Sequence, residues 1–264
     1  MGVGERDAAP ILNGFAQSLL VTEGLLPGSK DLHLLVERAE RARAKLVKFL
    51  SSIGGWHTGS SLSSINIVAA LYGHWIPSGS VKGIERLVVI SKGHITPALY
   101  VWFAMEGLLN EKELETFAEP WSMLQSHPEA RRLKGLVINS SGSLGQGLSI
   151  ANGIALASRI DGIQREIAVL LGDGELDEGQ VWEAASTAAA HHLDNIIAVV
   201  DRNMVQHTGP TEMVKPKEPL AAKWESFGWY AVEVPNNAAA IAATIEAMSE
   251  LKGKPKAMIV RSRG

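Results

Sequence analysis

Short apolar runs alternate with longer amphipathic stretches along most of the chain. The runs at 87–90, 167–171, 195–201, 230–234 and 257–261 have the composition of strands buried on both faces. Between them lie stretches of helical periodicity. Residues 32–52 set Leu34, Leu35, Ala42, Leu46 and Phe49 on one face and Lys and Arg on the other. Residues 62–75 read as a more buried helix, 96–108 as another, and 111–118 as a short charged one. Further helices are predicted over 144–160, 176–192, 219–227 and 237–251. Strands alternating with helices of ten or more residues predict an α/β fold, a mostly parallel sheet with helices on both faces. Segments 79–83 and 119–134 are expected to be the most flexible. No composition break marks a second domain, so 31–264 reads as one domain behind a weakly patterned leader, 1–30.

The 264 residues are 46% hydrophobic and 20% charged, with a net charge of −3, so nothing favours a polyanionic partner such as nucleic acid. There are no cysteines, which excludes disulfides, thiolate catalysis and cysteine-ligated metals and fits a cytoplasmic protein. No apolar run approaches the roughly 20 residues that span a bilayer.

Candidate chemistry gathers where strands end. Gly172-Asp173-Gly174 closes the run 167–171, and Asn203 follows the run 195–201, thirty positions after Asp173. That is the length of one βαβ unit, whose parallel strands open on one crevice. A carboxylate and an amide oxygen there suit Mg²⁺ or Ca²⁺, completed by phosphate and water; alone, the tripeptide reads more readily as a turn. Ser91-Lys92-Gly93-His94 follows the run 87–90, placing His94 at the same edge. Gly55 to Ser63 is a small-residue turn entering a helix, either an anion site that includes His57 or a loop capped by Ser60 or Ser61. Ser141-Gly142-Ser143-Leu144-Gly145-Gln146-Gly147 lets backbone approach a bound group, but its spacing is not the dinucleotide fingerprint. Glu178 and Glu183 fall in a stretch whose alanines suggest a buried helix, where each acid would need a partner. His33, His74, His191, His192 and His207 have no such context and read as structural.

Taken in order, Gly55–Ser63, Ser91–His94, His127-Pro128, Gly142–Gly147, Gly172–Glu183 and Asp201–Gly209 resemble the amino-terminal half of transketolase. The stretches Ser-Lys-Gly-His-x-x-Pro-Ala-Leu-Tyr and Gly-Asp-Gly-Glu-x-x-Glu-Gly-Gln-x-Trp-Glu-Ala are far more specific than Gly-Asp-Gly. The resemblance implies thiamine diphosphate held with Mg²⁺ or Ca²⁺. Asp173 and Asn203 match metal ligands, with Val205 lending its carbonyl. His94, Gly172, Gly174 and Glu175 match the diphosphate turn, and Gly142, Ser143 and Leu144 the loop that approaches the cofactor. His57 and His127 match histidines that meet substrate hydroxyls, and Glu178 an acid in a proton relay across the subunit interface. Ketol transfer needs such groups, because a hydroxyl loses its proton as the carbon–carbon bond breaks.

Transketolases carry two further domains, including a pyrimidine-binding one with no counterpart here. The expectation is therefore an N-terminal subunit of a split transketolase, paired with a C-terminal subunit in an α₂β₂ heterotetramer and inactive alone, with a ketose phosphate as donor. The family continues past the position of Gly264 into another diphosphate-site histidine. Gly135-Leu136-Val137-Ile138 replaces the family's Pro-Gly-x-Glu, and Thr208 its acid before Gly209. These departures raise an alternative in which the two-carbon unit goes to a carrier-protein or lipoyl acceptor. A non-catalytic binding subunit is a third reading, opposed by the intact histidines.

Overall fold

A computed structural model describes residues 29–262, so most of the leader predicted at 1–30 lies outside the described residues. Ser29 and Lys30 already belong to the first helix, α1 (Ser29–Ser52). The longer helices that follow are α2 (Thr58–Ala70), α3 (Ile76–Lys82), α4 (Thr96–Met105), α5 (Gly147–Asp161), α6 (Gly179–Ala190), α7 (Leu220–Ser226) and α8 (Ala238–Glu250). The main strands are β1 (Glu85–Ile90), β2 (Arg165–Gly172), β3 (Ile196–Arg202), β4 (Tyr230–Pro235) and β5 (Lys256–Arg261). They form one five-stranded sheet in the order β1-β2-β3-β5-β4, every pair parallel.

The side-chain alternation of a strand divides the core in two. Val88, Ile90, Ala168, Leu170, Val199 and Val260 face one apolar layer, closed by α1, α2, α4 and α8. Val89, Val169, Leu171, Val200 and Ile259 face the other, closed by α5, α6 and α7. The predicted parallel sheet with helices on both faces is thus the observed fold. On α1, Leu35, Ala42, Leu46 and Phe49 are buried as expected, but Leu34 is 51% exposed.

Two expectations need correction. The helix predicted to stop at residue 75 passes through a π turn, Leu71–Trp75, into α3. Segment 79–83 is therefore mostly helical, and Gly79 is buried because the Arg86 side chain occupies the space a Cβ would need. Arg86 in turn donates to the Trp75 carbonyl at 2.8 Å, to Ser78 Oγ at 2.7 Å and to Glu166 at 2.8 Å. The loop 119–134 meets α4, where Thr96 Oγ1 donates to the Ser126 carbonyl at 2.8 Å and the Tyr100 hydroxyl to that of Gln125 at 2.9 Å.

Candidate active site

The carboxyl ends of β1, β2 and β3 open on one edge of the sheet, and the motif residues gather there. Gly172 is in register with Asp201, so Asp173 and Asn203 emerge from adjacent strands. Asp173 is buried and its carboxylate already has donors: Oδ1 accepts from Gly174 N at 2.8 Å, Oδ2 from Met204 N at 2.8 Å and from Arg202 Nη1 at 2.8 Å. Asn203 Oδ1 accepts from Val205 N at 3.0 Å, and its amide reaches Ser63 Oγ at 3.4 Å. Val205, 55% exposed, opens a small hairpin, Val205–Gln206 with Gly209–Pro210. Gly174 must be glycine here, since a Cβ would lie 2.8 Å from Gln206 Cβ.

Three histidines lie near the same edge. His94 sits in a single 3-10 turn (Gly93–Ile95) directly after β1, and its Nε2 is 2.9 Å from Ser60 Oγ. The N-cap of α2 is His57, in left-handed conformation (φ 41°), rather than Ser60 or Ser61. Its ring lies 4.9 Å from that of His94. His127 packs beside Gly93 and Gly142; its Cδ2 would be 3.2 Å from a Cβ on Gly93 and 3.9 Å from one on Gly142.

Burial lowers the pKa of all three, and mutual charge adds to it at two of them. At His57 the positive fields of His127, His207 and Lys92 act after burial. For His94, burial and then Lys92, His57 and His127 bring it down to about 3. At neutral pH these are uncharged imidazoles, able to exchange hydrogen bonds with hydroxyls and carbonyls. An unfolded histidine titrates near 6.5, so His94 leaves stability unchanged above that pH and erodes it as pH falls from there toward 3. Proton NMR of the free chain is expected to show His94 without a titration step between about pH 5 and 8; a midpoint near 6.5 would contradict this electrostatic picture.

A buried carboxylate holds the glycine loop to the strand ends. Glu175 accepts from Ser91 Oγ, from Gly145 N at 2.8 Å and from Gly172 N at 3.0 Å. Burial raises its pKa against those three donors. Ser91 Oγ also receives Gly147 N at 3.0 Å, and Asn139 pairs with β1 like an extra strand residue, its amide meeting Ile90 N and O at 2.9 Å each. The expectation for Glu178 and Glu183 is corrected: both are exposed, and Glu178 is the N-cap of α6 rather than a residue inside it. The acid with buried partners is Glu175. Glu178 instead crowds the glycine loop, its Cβ only 2.8 Å from where a Cβ on Gly145 (φ 83°) would stand. A cavity of about 270 Å³ opens beside this loop, lined by Ser91, Asn139, Gly142, Ser143 and Ile150 among others. Ser141 Oγ is buried there without a hydrogen-bond partner. Leu144 is half-buried at the turn into α5.

Sequence reasoning missed several residues. Lys92, 1% exposed, donates to Asp201 Oδ2 at 2.7 Å beneath the site, and the same oxygen takes Ser63 Oγ at 2.5 Å and Ser64 Oγ at 2.9 Å. Arg202 was missed too. The only sequence signal was adjacency: Lys92 lies within the Ser-Lys-Gly-His motif, and Arg202 precedes Asn203.

The donor set suits a hard cation only together with ligands from outside the protein. Among the described residues no three His, Cys, Asp or Glu side chains could hold a metal by themselves. Asp173 and Asn203 do offer hard oxygens on adjacent strands, so a Mg²⁺-type ion here needs phosphate oxygens and water to complete its shell.

A family model described as "Transketolase, thiamine diphosphate binding domain" matches residues 37–263. The chain belongs to the transketolase family, and its described fold is that family's thiamine diphosphate-binding domain. Among relatives, it is 37% identical to a 6-deoxy-6-sulfo-D-fructose transketolase subunit of Clostridium sp. (strain MSTE9), over 86% of this chain and 84% of that one. It is 36% identical to an apulose-4-phosphate transketolase subunit of Actinobacillus succinogenes, with the same coverages. Human transketolase is 32% identical over 89% of this chain but only 38% of its own length. The crystal structure of a Pichia stipitis transketolase mutant superposes with a TM-score of 0.76 at 28% identity, covering 86% of this chain and 36% of that one. The chain thus spans little more than a third of the full-length transketolases it matches.

Proposed function

We propose that this chain is the N-terminal, diphosphate-binding subunit of a two-component transketolase that moves a two-carbon ketol unit from a ketose phosphate to an acceptor. The observation that carries this reading is the convergence of Asp173, Asn203, His57, His94 and His127 on one sheet edge. Relatives of matching length that are named as transketolase subunits support it. Asp173, Asn203 and the Val205 carbonyl would hold Mg²⁺ or Ca²⁺. His94 and the Gly172 to Glu175 turn would receive the diphosphate, and Gly142, Ser143 and Leu144 would line its approach. When bound, thiamine diphosphate supplies the carbon nucleophile and the electron sink for ketol cleavage.

The protein's own part is positioning and proton handling. His57 and His127, kept neutral, accept hydrogen bonds from substrate hydroxyls, and one of them takes the proton released as the carbon–carbon bond breaks. Glu178, exposed here, would act across an interface with a pyrimidine-binding subunit in an α₂β₂ assembly. The solvent face of α5, with Ile150 and Ile160 exposed, fits the same partner. No helix among the described residues is long and apolar enough to cross a membrane, and the cysteine-free chain suits the cytoplasm. The sugar substrates named for its relatives speak against a carrier-protein or lipoyl acceptor.

The test is co-expression with the product of the adjacent gene, followed by thiamine diphosphate, Mg²⁺, xylulose 5-phosphate and ribose 5-phosphate. Formation of sedoheptulose 7-phosphate by the pair, and by neither chain alone, is the expected result. Parallel reactions with 6-deoxy-6-sulfo-D-fructose and apulose 4-phosphate identify the donor. Failure of the pair to bind thiamine diphosphate would overturn the reading.

A further inference from the structure

Arg202 ends β3 immediately before Asn203, and its side chain is fully buried. A buried guanidinium needs its donors paired, and this one spreads them over two separate parts of the chain. Nη1 donates to Asp173 Oδ2 at 2.8 Å and to Thr211 Oγ1 at 2.6 Å. Nη2 donates to Glu212 Oε1 at 2.5 Å and to Glu218 Oε1 at 3.2 Å, and Nε reaches the same Glu218 oxygen at 3.3 Å. Each acidic partner in segment 211–218 is itself anchored. Glu212 caps Lys217 N at 3.0 Å, and Glu218 takes Leu220 N at 3.0 Å and Arg261 Nη1 at 3.0 Å. Arg261 binds Glu233 in turn. The cluster sets the carboxylates of Asp173, Glu212, Glu218 and Glu233 against the guanidiniums of Arg202 and Arg261.

We propose that Arg202 is the positioning residue of the cation cradle: it fixes the Asp173 carboxylate before any cation arrives and locks that carboxylate to segment 211–218. The cation half of this inference rests on the proposed function; the lock does not. With Oδ2 held by Arg202 and Met204 N, and Oδ1 by Gly174 N, no side-chain ordering remains for the ion to impose. A lysine cannot do the same, because an ammonium lacks the planar fork that reaches Asp173 and Glu218 together.

Two measurements on the full chain test it, with Arg202→Lys, Arg202→Met and the near-isosteric Thr211→Val, which guards against misfolding of the others. In the first, amide exchange is followed without cation or cofactor. Met204 and Lys217 N–H are expected to exchange roughly tenfold faster in both Arg202 variants and by a smaller factor in Thr211→Val. Unchanged exchange at both amides overturns the lock, whatever the cofactor does. In the second, Mn²⁺ is titrated with saturating thiamine diphosphate and read by electron paramagnetic resonance. The Arg202 variants should bind it roughly 10–100-fold more weakly and Thr211→Val about fivefold. Excess Mn²⁺ should restore the full number of sites, which a general loss of structure would not allow. Tighter binding in Arg202→Met, or wild-type affinity in Arg202→Lys, would show charge without positioning and overturn the proposal. A wild-type chain and partner that take no Mn²⁺ with thiamine diphosphate refute the proposed function and the cation half with it, while the exchange result still decides the lock.

Discussion

The Asp173→Asn variant is expected to lose cation-dependent binding of thiamine diphosphate by more than roughly 100-fold, beyond what loss of an outer-shell partner costs. Asparagine fills the same volume, so what is removed is the charge and one hard oxygen. The remaining amide must turn a donor either toward Gly174 N or toward Met204 N and Arg202, all of them donors themselves. Arg202 loses one counter-charge but keeps Glu212 and Glu218, so the stability cost should fall below the roughly 3–5 kcal/mol typical of breaking a buried pair. Calorimetric titration with Mg²⁺ present, beside a thermal melt without it, separates the two effects. A folded variant of wild-type affinity would remove Asp173 from the ligand set.

The second large effect is expected at Glu175, although it touches no substrate group in the proposed reading. The Glu175→Ala variant leaves Gly145 N and Gly172 N buried without an acceptor and frees Ser91 Oγ to Gly147 N alone. Two orphaned backbone donors predict a loss of roughly 3–5 kcal/mol in urea unfolding. The loss should be accompanied by faster proteolysis around 142–147, because the Glu175 carboxylate joins that loop to the Gly-Asp-Gly turn. The Glu175→Gln variant retains one acceptor oxygen and should lose less. Equal stability of Glu175→Ala and the parent would show that water replaces the carboxylate and that the loop holds itself.

The strands were legible because parallel strands buried on both faces are continuous apolar runs, and runs such as 167–171 and 257–261 have no other good use. The positions of Asp173, Asn203 and His94 followed from the same pattern, since a parallel strand delivers whatever follows it to one edge. Helix ends were less legible. The helix predicted over 176–192 gives way at its start to a 3-10 turn, Gly174–Asp177, because the side chain of Asp173 takes the first free N–H, that of Gly174. Periodicity carried no trace of that competition. The helix over 62–75 stops too early: Gly79 lies within α3, where its missing Cβ makes room for Arg86.

The division at the site runs along the same line. Which residues carry chemistry was written locally, in Gly-Asp-Gly, in Ser-Lys-Gly-His and in the ordered motifs of a transketolase. Which of them are buried, and against what, was not. Alanines around Glu178 and Glu183 suggested buried acids, yet both turn outward while Glu175 turns inward, because only one face of that segment meets the sheet. Lys92, Asp201 and Arg202 became part of the site through contacts between residues 29 to 138 positions apart in the chain. The sequence by itself determined the strands, their common edge and the kind of ligand it suits. The tertiary structure alone decided the charge pairing beneath that edge, because burial and Coulomb energy depend on distances between strands that no local pattern records.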